Sequence, residues 1–197
     1  MNEKKFEEHV RGILKEIGED IEREGIKATP ARVCRLWKKL YYGYGKKLIV
    51  MDELKRKENK DPNIIPITVF KPISKDMLVR KVHFLSTCEH HLATIHGGEC
   101  WVGIIPNKKL MGMNKIDAVV KYFAARLQIQ EKLTADIANW IQKNIQPLGV
   151  GVVIKANHLC AELQGDNGHF TTSAVRGNFE KNSQTRNEFL KFVENGK

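Results

Sequence analysis

Long apolar runs are missing from this chain. Nothing approaches the ~20 consecutive apolar residues that a membrane-spanning helix requires, so no membrane partner is expected. Cysteine is scarce, with four in 197 residues, which excludes a scaffold built on disulfides. The opening MNEKKFEEHVRGILKEIGED is charged throughout and lacks the apolar centre of a secretory signal. A cytoplasmic location is therefore expected, and there thiols stay reduced. Cys34, Cys88, Cys100 and Cys160 are accordingly packing thiols or metal ligands before they are disulfides. Internal repeats and low-complexity tracts are absent as well.

What is there is the composition of an ordinary globular protein, 42% hydrophobic and 28% charged, which excludes disorder as the main state. Basic side chains number 33 against 23 acidic, a formal charge of +10. Apart from Lys46-Lys47 and Lys55-Arg56-Lys57 with Lys60, the bases alternate with acids, as on solvated faces. No nucleic-acid partner is expected, whereas an anionic small substrate would gain from the same field.

Phe6, Val10, Ile13, Leu14, Ile17 and Ile21 recur at helical spacing, which predicts an amphipathic helix ending near Gly25. Thr29-Pro30 opens a second helix with Val33, Leu36, Trp37, Leu40 and Tyr41 on its apolar stripe. Residues 44–66 carry charge without pattern and are expected to form a surface loop. Strands are expected over 78–85 and 92–95, the latter turning through His96-Gly97-Gly98 into 100–105. Asn114 is placed to cap a helix holding Ile116, Val119, Val120 and Phe123, and a second helix follows with Leu133, Ile137, Trp140 and Ile141. Strands over 150–163 and about 170–175 and a short terminal helix complete the chain. This ββααββ order implies an α+β domain with an antiparallel sheet over 67–197, preceded by a helical extension and loop over 1–66.

Cys88-Glu89-His90-His91 is the densest group of ligand-type residues. A Cys-x-x-His step at a strand end can offer sulfur and imidazole to one tetrahedral zinc. His158 and Cys160 lie two apart in a β-like segment and so point to one sheet face. One thiolate from there, added to Cys88 and His91, makes a Cys2His set with a fourth position open to water. Taken alone, Cys-x-x-His also arises by chance, and an isolated Cys160 reads equally as a small buried apolar residue.

Several motifs in one order add to this. STCEHH, TPARV upstream, MNKIDAVVKYFAARLQIQEKLT in the middle and HLC followed by a glycine resemble the GTP cyclohydrolase I family, from about Thr29 to Leu190. The resemblance implies a tunnelling fold, a ring-shaped homo-oligomer with shared active sites, and a zinc ion. It implies Cys88, His91 and Cys160 as zinc ligands, with His90 and His158 as active-site histidines, the second moving protons. Gln130 and Glu131 match the guanine pocket, the glutamate holding N1–H and the exocyclic amine, and Lys115, Arg32 and Arg35 match the phosphate site. The implied chemistry is addition of activated water at C8, opening of the imidazole ring, loss of formate, and closure of the rearranged ribose to dihydroneopterin triphosphate.

Departures from the family pattern cluster at phosphate binding. Asn114 replaces a serine, Ala118 and Gln164 replace arginines, and Asp117 replaces a small residue. Each charge-assisted contact is worth ~1.5–3 kcal/mol, so the grip on a triphosphate is expected to weaken unless neighbours compensate. Two other readings follow: a relative hydrolysing a purine without a triphosphate, or a purine-binding homologue without catalysis, against which the intact histidines and thiols speak.

Overall fold

The computed structural model describes residues 1–196, in two compact units, 1–42 and 43 onward. In the first unit, helix α1 (Glu3–Glu16) is capped by Asn2, whose side chain accepts from Lys5 N–H. It ends earlier than its stripe suggests. Gly18 N–H donates to Lys15 O and Glu19 N–H to Leu14 O, the paired bonds of a Schellman stop. Ile21 thus lies beyond α1, and a separate turn, α2 (Glu24–Lys27), precedes α3 (Thr29–Leu40). Phe6 meets Trp37 at 5.2 Å between ring centroids, so the apolar stripes of α1 and α3 face each other. Glu3 and Lys38 pair across the same two helices.

The second unit begins where a loop was expected. Strand β1 (Lys47–Met51) and strand β2 (Ile64–Phe70) run parallel, joined through α4 (Glu53–Glu58), which Asp52 caps. A parallel pairing is non-local, and nothing in the charged linker announces it. The two strands belong to the larger compact unit, which begins at Gly43.

The main sheet is built from β3 (Leu78–Cys88), β4 (Thr94–Ile105), β6 (Leu127–Gln128), β7 (Gly149–His158) and β8 (His169–Gly177), in the order β6-β3-β4-β7-β8. The pair β3/β6 is parallel and the rest are antiparallel. Short β5 (Leu110–Met111) pairs with β2. Helices α5 (Met113–Ala124) and α6 (Gln130–Ile145) fall between the two halves of the sheet in sequence, which is the ββααββ order of a tunnelling-fold subunit. Gly112, not Asn114, occupies the cap position of α5.

Three local expectations are corrected. His96-Gly97-Gly98 is not a hairpin turn: β4 runs through it, with a register shift between His96 and Glu99. Gly97, at φ 59°, takes up the extra residue as a bulge, a backbone state other residues adopt at a cost. The true β3–β4 turn is the ligand-bearing segment 89–93. Finally, β7 stops at His158, and Cys160 sits in a single helical turn, α7 (Leu159–Glu162).

Alternation along the strands divides the core. Val82, Cys100, Val102, Val152 and Ile154 pack with Ile116, Val120, Ile137 and Ile141 of α5 and α6. Trp101 and Val153 face the other way, onto Phe179 of α8 (Asn178–Lys181) and Phe189 and Val193 of α9 (Ser183–Asn195). Phe179 and Phe189 are fully buried and meet edge to face at 5.5 Å. Phe189→Ala is expected to cost ~3–5 kcal/mol of unfolding free energy, read as a lower urea midpoint at unchanged slope. A change below ~1 kcal/mol would mean that α9 contributes little to this core. Among the described residues no helix is long and apolar enough to cross a membrane.

Candidate active site

Cys88 is the last residue of β3, and the chain turns sharply after it. Its N–H donates to Ala93 O at 2.8 Å, and Glu89 N–H donates to Gln128 O of β6 at 3.0 Å, which holds the turn carrying His90 and His91. Across β4, the end of β7 delivers His158 and α7 delivers Cys160. The ligand atoms of Cys88, His158 and Cys160 all lie within 4.8 Å of one another. The same face was expected for His158 and Cys160 through strand alternation; a helical turn brings them together instead.

A cavity of about 220 Å³ opens beside these groups. His90, His91, Gln130, Glu131, His158 and both thiol residues line it, with Phe170 and Thr172 of β8. His91 therefore shares the cavity but stands outside the closest donor set. No lysine or arginine is among the lining residues. Lys115, in the first turn of α5, lies towards α4, where it adds to Arg56 and Lys57 in holding the Glu53 carboxyl down. Arg32 and Arg35 belong to α3 in the smaller unit.

Local electrostatics follow from burial. The His158 imidazole is held below its ordinary value by burial first, with the Glu131 carboxylate opposing and His96 adding to the effect. Burial, then the hydrogen bond with Cys88, pushes the Cys160 thiol up. Cys100 is also pushed up by burial, but it lies inside the sheet with the core and is a packing residue.

The segment bearing Cys160 is secured from several sides. His96, turned by the bulge in β4, lies 3.1 Å from the Glu162 carboxylate. Gln164 Nε2 donates to Cys160 O at 2.7 Å. Gly168 O accepts from His158 N–H at 2.7 Å, and a methyl group at Gly168 would lie 2.6 Å from Glu162 Cγ and 2.8 Å from His158 O. Asp117 makes a two-pronged pair with Arg80, both bonds at 2.9 Å, and Arg80 in turn holds the Asp117 carboxyl down. Ala118 packs at the edge of the core.

Residues that local patterning passes over also shape the site. Phe170 and His158 meet in a T-shaped contact at 5.0 Å between ring centroids. Thr134 and Thr172 bond each other and Gln130. Of these only Thr172 carries a sequence signal, lying in the polar run Thr171-Thr172-Ser173 of an expected strand.

Thiols and imidazoles gathered at one cavity, on an α+β sheet with a helical pair, form a candidate metal centre of the kind that metal-dependent enzymes carry. The sequence profile of GTP cyclohydrolase I matches residues 6–194. GTP cyclohydrolase 1 of Aquifex aeolicus (strain VF5) is 41% identical over 98% of this chain and 97% of its own. That of Campylobacter jejuni (strain RM1221) is 43% identical over 99% and 97%. Among solved structures, archaeosine synthase QueF-Like in the apo form matches 53% of this chain and 96% of its own at a TM-score of 0.44 and 18% identity. The chain belongs to the GTP cyclohydrolase I family.

Proposed function

We propose that this enzyme opens the imidazole ring of the guanine of GTP and yields dihydroneopterin triphosphate and formate, with a zinc ion held by Cys88, His91 and Cys160. The observation that carries this is the convergence of two thiols with imidazoles on a cavity that also holds Glu131. Two sulfurs and an imidazole are the donor chemistry zinc takes. His91 follows Cys88 by three residues and lines the same cavity, whereas His158 is already engaged by Gln130. His91 is therefore assigned as third ligand, and His90 and His158 as proton carriers. When bound, zinc supplies Lewis acidity that lowers the pKa of a water molecule.

The chain's own residues do the rest. Glu131, in the first turn of α6, accepts from N1–H and the exocyclic amine of guanine and sets the depth of the base. Phe170 packs against the His158 ring and helps to fix its orientation. Because no cation lines the cavity, the phosphates must be met from beyond it, and Lys115, Arg32 and Arg35 are the candidates. A ring of copies supplies such residues in trans; β8 closes one end of the sheet and leaves a free edge suited to a neighbouring copy. The solution state is expected to be a ring-shaped homo-oligomer in the cytoplasm.

Incubating zinc-loaded protein with GTP, guanosine, guanine and 8-oxoguanine and recording product masses tests the assignment. GTP is expected to give dihydroneopterin triphosphate and formate; an unchanged nucleotide beside a processed base would overturn it. A second reading, a purine without a triphosphate, draws on Asp117 being tied to Arg80 and Gln164 to Cys160 O. Under that reading Ala118→Arg with Gln164→Arg raises kcat/KM for GTP over guanosine by ~10–100-fold, and added salt erodes the gain. Efficient turnover of GTP by the parent, with no gain in the double variant, removes it.

A further inference from the structure

Strand β6 is two residues long, Leu127–Gln128, yet both halves of the active site hang on it. On one side Gln128 O accepts from Glu89 N–H at 3.0 Å, which secures the turn carrying His90 and His91. On the other, Ile129 alone separates β6 from α6, whose first two residues are Gln130 and Glu131. A shift of β6 would therefore move Glu131 against the imidazoles. Its pairing with β3 spans just two positions, Thr87 with Leu127 and Cys88 with Gln128, and it lies at the edge of the sheet. So short an edge strand needs support from elsewhere.

That support comes from the two residues that open the larger unit. Gly43 N–H donates to Ala125 O at 3.1 Å, and Gly43 O accepts from Arg126 Nε at 3.1 Å. Leu127 N–H donates to the Tyr44 hydroxyl at 3.1 Å. Three consecutive residues leading into β6 are thus tied to two consecutive residues far away in sequence. The Arg126 guanidinium also lies over the Tyr122 ring, 4.3 Å from its centroid, which fixes that side chain from behind. Gly43 is buried, and a Cβ there would stand 2.5 Å from Tyr122 O and 2.6 Å from Ala125 O. Both are backbone atoms, so only glycine lets the segments come this close. None of Gly43, Tyr44 and Arg126 lines the cavity.

We infer that Gly43, Tyr44 and Arg126 form a latch on β6, in which Tyr44 and Arg126 are positioning residues that set Glu131 at its working distance from the turn bearing His90 and His91. This rests on the proposed reading of Glu131 as the guanine contact. With the latch open, Glu131 still finds the base, but C8 is displaced from the reacting geometry. The loss then falls on kcat rather than on KM, because misplacement by about 1 Å can cost ~10²-fold in rate.

The test compares zinc-loaded wild-type protein with Tyr44→Phe, which removes one hydroxyl and keeps the ring. Three quantities are read: GTP kinetics, bound zinc, and hydrogen exchange of backbone amides. Tyr44→Phe is expected to keep its zinc and to lower kcat ~10-fold with KM within about threefold. Exchange of the Glu89 amide should speed up by at least ~10-fold, while that of buried Val152 in β7 stays unmoved. Arg126→Met should do the same, and the double variant should lose little more, since either change alone releases β6. Phe189→Ala is the control for stability: it weakens the other core and should leave kcat and the local exchange of Glu89 as in the parent. Unmoved Glu89 exchange in Tyr44→Phe overturns the latch. So does a tenfold rise in KM at unchanged kcat, which would make Tyr44 a substrate contact. Additive losses in the double variant overturn it as well, since they would mark two separate contacts. If the parent leaves GTP unchanged, the proposed reaction fails, and Glu89 exchange still decides the latch.

Discussion

Cys160→Ala protein is expected to fold, to carry no zinc and to lose GTP turnover by at least ~10³-fold. Cys160 lies in α7, partly buried at the edge of the core, so removing its sulfur leaves only a small gap there. Its ligand atom is one of three within 4.8 Å, and a site reduced to one thiol and one imidazole binds zinc far more weakly. Cys100→Ala is the matched control. That thiol is wholly buried in the sheet, and its loss should cost stability of ~1 kcal/mol and no metal. Metal analysis after dialysis reads both variants. Full zinc in Cys160→Ala would sink the assignment. The third ligand is read in the same way: zinc lost in His91→Asn and kept in His158→Asn is the expected pattern, and the reverse would make His158 the ligand.

Glu131→Gln is expected to raise KM for GTP by ~30–1,000-fold with the fold intact. A carboxylate accepts from both N1–H and the exocyclic amine, whereas an amide turns one N–H against a donor. The substitution keeps shape and volume, so a loss reports the mismatch and not a cavity. Glu131 sits in the first turn of α6, where the helix N-terminus favours an anion, and the circular dichroism melt should move little. Binding of GTP by the metal-loaded variant, followed by calorimetry, separates this from slowed chemistry. Unchanged affinity would place the guanine elsewhere.

Helices were largely legible from spacing because their partners lie on the same chain segment. The stripes through Val33, Leu36 and Trp37 and through Ile116, Val119 and Phe123 each made a helix where expected. The parallel pairing of Leu48 to Ile65 and Val50 to Ile67 was not, since each half is short and its support comes from the other. The site divides along the same line. Cys88, His90 and His91 form a local motif that announces itself, and the resemblance led to Cys160. The path of the chain there did not follow: Leu159–Glu162 shows no helical signal, and its turn depends on Gln164 and the His96–Glu162 contact. Arg80 meets Asp117 across 37 residues and Thr134 meets Thr172 across 38, so these pairs exist only once the sheet has formed.

Gly168 carries no functional group, yet the space around it is committed. The Glu162 side chain and the His158 carbonyl stand where any larger residue would begin. A substitution there would shift α7 by a fraction of an ångström and carry Cys160 away from Cys88, leaving every reactive atom present but misplaced. Activity screens of random variants would then return Gly168 alongside the cysteines and histidines. Of the two glycines between α7 and β8, Gly165 has open space around its Cα and Gly168 has none, so crowding at Gly168 alone ties that segment to the position of Cys160.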